Sequence, residues 1–310
     1  MTSPYSDMPP AHASSTATPP GAAATDARIL DRGYRRYEGE RLGAKGAQRA
    51  LFVASVQRAL GLRRRFRYKV IPLVAAVMAY LPAAVFVGAA ALIPKQLAKD
   101  LVPDYSGYYG FVTSAILLYV AAVVPDVLCS DRKTGMLGLY LAAPLTRDSY
   151  LAMKGAAVAA IVTLVTLGPP VLLVIGYSFV SLGPSWPTEG LVLIMRVLAA
   201  GAAVALWYTA LAMVAASLTD RQAFASAGIV LATLVSAAAV GALVDGAHMT
   251  QWLHLADVFN LPFEVVRRIY GERGLYGDIP TIPLLLAFAA LILLAGVFVR
   301  TRYQRLMVTK

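Results

Sequence analysis

Cysteine, histidine and acidic residues are scarce in this chain of 310 residues, and their scarcity excludes several classes of protein. A single cysteine, Cys129, excludes an internal disulfide, a Cys-x-x-Cys redox pair and a cysteine zinc cluster. His12, His248 and His254 lie outside every long apolar segment, so an intramembrane serine nucleophile would have no histidine base. Neither a His-Glu-x-x-His sequence nor a Gly-x-x-x-x-Gly-Lys-Ser/Thr phosphate loop occurs. We therefore expect no catalytic residues, no metal site and no cofactor in this chain, and no ATP hydrolysis by the chain itself.

Charged residues are also few, at 15% of the chain, whereas 58% is hydrophobic and the mean hydropathy is +0.64. In soluble domains roughly a quarter of all residues are charged. A helix that crosses a bilayer needs about 20 mostly apolar residues. Six segments reach that length: 70–94, 110–130, 155–180, 190–218, 223–244 and 280–299. The sequence therefore predicts an all-α, polytopic membrane protein with six transmembrane helices over residues 70–310.

One stretch, residues 28–69, carries most of the net charge of +11. It holds thirteen lysines and arginines against three acidic residues and lies directly before the first apolar segment. With a cytoplasmic N-terminus, 22 basic residues fall on the cytoplasmic side and 5 on the other. Because loops rich in lysine and arginine stay cytoplasmic, we expect both termini to be cytoplasmic in a multi-pass protein of the plasma membrane. We therefore expect this basic segment to interact with the anionic lipid bilayer and not with nucleic acid.

Two segments precede the first predicted span. Residues 1–27 are rich in proline, alanine, serine and threonine and have no apolar core, so we expect a disordered tail rather than a signal peptide. Residues 28–69 form a basic cytoplasmic segment, and residues 47–62 within it have the spacing of an amphipathic helix. This helix is predicted to lie in the membrane interface as an elbow before the first span. It either sets the topology alone or also holds a partner subunit.

The loop after the second predicted span, residues 131–154, has the pattern of two helices at the membrane surface. Ser130 or Asp131 is expected to cap a short helix, which Pro144 ends, and Thr146 is expected to start the next helix. A compact helix–turn–helix of this kind is stiff enough to transmit a movement to the spans. A plain connector between two spans fits the same residues.

Residues 125–154 follow the pattern Pro-x-x-x-x-Ser-Asp-Arg-x-x-Gly-x-Leu-x-x-Tyr-Leu-x-x-Pro-Leu-x-Arg-x-x-Tyr-x-x-x-Lys. This pattern, with six spans and an interfacial helix before the first, resembles the permease subunits of type-2 ATP-binding-cassette transporters. The resemblance implies that loop 131–154 is a coupling loop, which docks on a separate ATPase subunit that binds the ATP. The residues that match the pattern and would form this contact are Asp131, Arg132, Gly135, Leu137, Tyr140, Pro144, Leu145, Arg147 and Tyr150.

Outside the membrane, the longest predicted loop is 245–279. Asn260 is expected to cap a helix that begins at residue 261 and stops at Gly271, and this helix would rest on the membrane surface. The resemblance implies instead an external helical hairpin that lines an exit gate. Within the spans, few residues break the apolar pattern. The candidates for a hinge or a pathway are Pro125, Asp126, Pro169, Pro170 and Arg196.

Taken together, the residues and the resemblance predict the transmembrane permease subunit of an ATP-driven exporter in a bacterial inner membrane. Two permease copies are expected to assemble with ATPase subunits, and a hydrophobic or amphipathic substrate is expected to pass near spans two and five. A secondary carrier is an alternative, although the paired mid-membrane carboxylates expected of one are missing. A membrane scaffold or assembly protein without transport remains a second alternative, because its hydropathy would look the same.

Overall fold

Helices form all the regular secondary structure in the described part of the chain. The computed structural model describes residues 39, 42–62, 67–94, 96–97, 101–142, 144–185, 187–272 and 274–305, without the side chains of residues 67 and 68. The predicted tail, residues 1–27, and part of the basic segment 28–69 lie outside these residues. The α-helices are α1 (Gly43–Ala59), α2 (Arg67–Leu92), α3 (Tyr108–Val123), α4 (Pro125–Lys133), α5 (Met136–Ala142), α6 (Arg147–Phe179), α7 (Thr188–Leu218), α8 (Gln222–Gly241), α9 (Leu261–Tyr270) and α10 (Thr281–Arg305).

All six predicted spans are confirmed by helices that are long and apolar enough to cross a membrane. They are α2, α3 with α4, α6, α7, α8 with its π-helical end Ala242–Gly246, and α10. The second span is divided because Pro125 has no backbone N–H, yet Val124 before it keeps helical angles. Because successive spans alternate in direction, we call the side with α1, α5 and the end of α10 the basal face, and the opposite side the distal face.

The second span is the centre of the bundle. In its most apolar stretch 72% of the residues are buried inside the chain, against 17–22% for the first, fifth and sixth spans. It packs on α2, α6, α7 and α8. The predicted helix before the first span is confirmed as α1, which packs on α6 and α4 through its buried Leu51, Ser55 and Ala59.

Two prolines in the third span leave the helix continuous. Pro170 removes the donor that would bond to the Thr166 carbonyl, and the Tyr109 hydroxyl donates to that carbonyl instead, at 3.1 Å. Two residues earlier, the Tyr80 hydroxyl donates to the Leu164 carbonyl at 2.7 Å, in space that is open because Gly168 has no side chain. These contacts from the first two spans favour a packing bend over a hinge at Pro169 and Pro170.

The segment between the fifth and sixth spans turns back into the bundle, whereas the sequence predicts that it rests at the membrane surface. The Trp207 indole donates to the Val258 carbonyl at 3.0 Å, and Trp207 is nineteen residues from the distal end of α7 but only eleven from its basal end. Ser236, within α8, accepts from the Val258 amide at 3.1 Å. Residues 251–256 therefore descend between the spans, and α9 climbs back along α7 to the distal face. We call residues 251–272 the re-entrant hairpin.

Spans three and four approach each other closely at Gly201. The Thr166 hydroxyl donates to the Gly201 carbonyl at 3.0 Å, and a Cβ at Gly201 would lie 2.7 Å from the Leu167 side chain and 3.2 Å from its Cα. We expect Gly201→Val to lower the melting temperature of the purified protein, because overpacking costs about 1–3 kcal/mol. Gly228→Val is the control, since no atom lies within 4 Å of a Cβ there. Equal melting temperatures for the two variants would contradict this packing.

Candidate coupling site at the basal face

Asp131, fully buried near the basal end of the second span, accepts bonds from side chains of two other helices, α1 and α6. Its Oδ1 lies 2.5 Å from the Arg58 guanidinium of α1, and its Oδ2 lies 2.6 Å from the Lys154 Nζ of α6. The Tyr150 hydroxyl donates to the same Oδ2 at 3.0 Å, and Lys154 also donates to the Val127 carbonyl at 3.1 Å. One carboxylate thus joins the elbow helix, the second span and the third span.

The cluster around Asp131 is close to electrically neutral, which burial requires. A buried charge is tolerated only when it is paired and hydrogen-bonded. Arg58 and Lys154 bring two positive charges, and the half-buried Asp126, one turn before Asp131, attracts both of them. The rings of Tyr140 and Tyr150 lie 5.9 and 5.7 Å from Lys154 Nζ. Burial alone would lower the pKa of Arg58, but the attraction and hydrogen bond of Asp131, together with attraction by Tyr140 and Asp126, outweigh burial and raise that pKa.

Arginines at the basal face bind the C-terminal ends of two spans, where helix carbonyls have no partner of their own. Arg132 donates to the carbonyls of Ser217 at 2.7 Å and Thr219 at 3.1 Å, and Arg302 also donates to the Ser217 carbonyl at 2.7 Å. Arg147 donates to the carbonyl of Gln304 at the end of α10. These positive charges also oppose the negative end of each helix dipole. Spans four and six are thereby bound to loop 131–154.

The short helix α5 lies between two well-defined turns. Gly135 before it has φ +69°, a left-handed angle that favours glycine. After it, Thr146 caps α6 in a capping box with Ser149, as the sequence predicts. Leu139, on the outer side of α5, is 64% exposed although it is a large apolar residue.

The structure divides the nine residues that match the pattern into three groups by exposure. Gly135 and Pro144 are exposed; Arg132, Leu137, Tyr140 and Arg147 are half-buried; Asp131, Leu145 and Tyr150 are buried. The buried residues fix the loop from inside and have no surface to offer a partner. The expectation that Ser130 or Asp131 caps the short helix is wrong, because both lie inside α4 and Asp131 is paired with cations. Arg58 and Lys154 also belong to this site but are not among the residues predicted from the sequence, because their partner Asp131 lies close to them only in the folded chain.

The hinge and pathway candidates do not form one site. Pro125 and Asp126 lie near the basal cluster, whereas Pro169 and Pro170 lie beside Tyr109 at the distal end of the second span. Arg196 lies on an exposed face of α7 next to the Gly271 turn, which ends α9 as predicted. Asn260 precedes α9 as predicted but makes no capping bond; Asp257 accepts from its amide instead, at 3.0 Å.

Two carboxyl groups meet at the distal face. The Ser106 hydroxyl lies 2.9 Å from Asp104 Oδ2 and 2.6 Å from Glu272 Oε2, so it bridges the loop before α3 and the end of the hairpin. Burial raises the pKa of Glu272, and the nearby Asp104 raises it further, although Ser106 and Arg267 oppose the change. Glu272 therefore keeps its proton to a higher pH than an ordinary glutamate does.

No group of three or more histidine, cysteine or acidic side chains within the described ranges is arranged to hold a metal ion. Comparison with known proteins supplies no family: no family model matches the sequence, and no curated protein matches it. The resemblance to type-2 permeases rests on residues 125–154, the six spans and the helix before them.

Asp131→Asn is expected to destabilise the folded protein by about 3–5 kcal/mol, because it leaves two cations at the buried cluster without their partner. Thermal unfolding in detergent measures this. Asp148→Asn is the control, since Asp148 pairs with Arg300 at 2.8 Å but both side chains are more than half exposed. The control is expected to melt like the wild type. Similar losses in both variants would contradict the role given to burial.

Glu272→Gln is expected to flatten the acid-side pH dependence of stability. Because the folded pKa of Glu272 is raised, the folded protein binds more protons than the unfolded chain between the two pKa values. Its stability therefore falls as pH rises from the ordinary value of about 4.5 through the raised value. Melting temperatures across this window test the prediction, with the exposed Asp278→Asn as control. A wild-type slope retained in Glu272→Gln would contradict it.

Proposed function

We propose that this chain is the transmembrane permease subunit of an ATP-driven exporter, coupled through α5 to a separate ATPase subunit. The observation that carries the proposal is the combination of an exposed apolar helix with a rigid base. Leu139 on α5 is 64% exposed, while Asp131 just before α5 is fully buried and bound to α1 and α6. A surface of this kind is suited to receive a partner and to pass on its movement.

Movement of α5 would reach the spans through bonded contacts. The cluster around Asp131 includes α1, α4 and α6, while Arg132 and Arg147 bind the ends of α7 and α10. Five elements are thus tied to one loop of about twenty residues. ATP-driven closure of two ATPase subunits would tilt this unit and shift the spans between inward and outward states.

In this proposal the basal face is cytoplasmic, in a bacterial inner membrane. The sequence count of lysines and arginines supports that orientation, because a cytoplasmic N-terminus would put 22 of them on the cytoplasmic side and 5 on the other. ATP would be bound by the partner, which leaves no cofactor for this chain.

Two copies of the chain would enclose the path of the substrate. Within α3 of the second span, the exposed residues form one stripe, which we define as Gly110, Phe111, Ser114 and Leu118. The fifth span packs beside it with an outer face that is largely exposed, including Phe224, Leu231 and Val235. A second copy and an apolar or amphipathic substrate fit this surface better than water does.

Affinity purification of the tagged chain from its native membrane tests the proposal. An ATP-hydrolysing subunit is expected to co-purify, and the complex is expected to transport only with ATP. Gradient-driven transport by the chain alone would establish a secondary carrier instead. A complex without any ATPase and without transport would establish a scaffold.

Leu139→Glu is expected to reduce ATP hydrolysis by the co-purified complex at least about tenfold, since a charge at the centre of an apolar contact costs 1.4 kcal/mol or more. The melting temperature of the permease should not change, because Leu139 is exposed. Leu92→Glu is the matched control, as Leu92 is 88% exposed at the distal face. Full hydrolysis in Leu139→Glu would exclude α5 as the docking surface.

A further inference from the structure

A cavity of about 190 Å³ lies between α3 and the re-entrant hairpin, in the distal half of the bundle. Most of the side chains that line it have a polar group. The polar residues that line it are Ser106, Thr113, Ser114, Asn260, Glu264 and Arg267. Phe259 and Phe263 cover another side.

Arg267 is the distinctive residue of this cavity. Its side chain is half-buried, yet it has no hydrogen bond and no ion pair within the part of the chain that the structure describes. A guanidinium group is always charged and offers five N–H donors, so its partial burial without an acceptor is unfavourable. Such a group points to an acceptor that binds from outside the chain.

The acidic groups near Arg267 are already engaged. Glu264 accepts from Arg268 Nε at 3.1 Å and from the Leu275 amide at 2.8 Å, so its charge is balanced locally. Glu272 attracts Arg267 but is hydrogen-bonded to Ser106, and its pKa is raised by burial and by Asp104. The hydrogen-bonding capacity of Arg267 is therefore left for a ligand.

The cavity opens onto the exposed stripe of α3. Gly110 and Ser114 belong to both surfaces, and Leu118 lies one turn further along the same helix face. Ser114 also makes no side-chain hydrogen bond among the described residues. A polar pocket that continues into an apolar strip has the form of a site for an amphipathic molecule.

We propose that this cavity binds the carboxylate or phosphate head group of an acidic amphipathic substrate, with Arg267 and Ser114 as its hydrogen-bond donors. The apolar chain of the ligand lies along Phe111 and Leu118. The inference deepens the proposed function and rests on it for transport, although binding itself needs neither the ATPase nor ATP. Guanidinium groups bind both oxyanions well, so the shared chemistry is that of a tethered oxyanion.

Calorimetric titration of the full-length protein in phosphatidylcholine nanodiscs tests the site without the partner. The probes are dodecanoate, dodecyl phosphate, dodecyltrimethylammonium and inorganic phosphate. Both anionic amphipaths are expected to bind more tightly than the cationic one, and Arg267→Gln is expected to weaken them at least about tenfold, as expected for loss of a charged hydrogen bond. Arg267→Lys should retain part of the affinity. Arg221→Gln, an exposed basal change, is the charge-matched control and should bind like the wild type.

Ser114→Leu keeps the inference testable if Arg267→Gln fails to fold. Ser114 is exposed on α3, so leucine fits there without a packing penalty but fills the entrance of the cavity. Ser114→Leu is expected to abolish binding with an unchanged melting temperature.

Equal affinities in wild type and both variants, or equal binding of the cationic probe, would overturn the proposal. Equally tight binding of inorganic phosphate would overturn the amphipathic ligand in favour of a free oxyanion. Failure to bind would leave ATPase coupling untouched, because that is measured separately.

Discussion

A carboxylate without access to water needs positive partners, and this requirement organises the basal half of the protein. Asp131 is fully buried and takes its partners from α1 and α6, on either side of the second span. Removing either cation would leave a charge in a medium that cannot solvate it. The positions of the elbow helix and of the start of the third span therefore depend on one side chain.

The same requirement shapes the distal half with different groups. The re-entrant hairpin brings backbone and charged side chains deep between the spans, and each needs a partner there. Trp207 and Ser236 satisfy the backbone of Val258, while Arg268 neutralises Glu264 and donates to the carbonyl of Tyr276 at 2.8 Å. Arg267 lacks such a partner among the described residues, and it lines the cavity proposed to bind an anionic head group.

The six spans could be predicted because each is a continuous apolar run whose length the bilayer fixes. Thr146 and Gly271 were also predictable, since caps and helix ends depend on neighbouring residues. The bond between Arg58 and Asp131 was not, because 73 residues separate them and nothing local pairs them. The re-entry of α9 escaped prediction for another reason: its charged residues look like surface residues until Glu264 and Arg268 are seen to pair.

A double-mutant cycle between Arg58 and Asp131 tests the central claim most directly, with unfolding temperature and ATP hydrolysis of the co-purified complex as readouts. If the ion pair holds the basal unit together, Arg58→Gln will lower both quantities in the wild type but change them little once Asp131→Asn is present. If the two substitutions instead act additively in both readouts, the elbow helix and the coupling loop are not joined through Asp131, and the account is wrong.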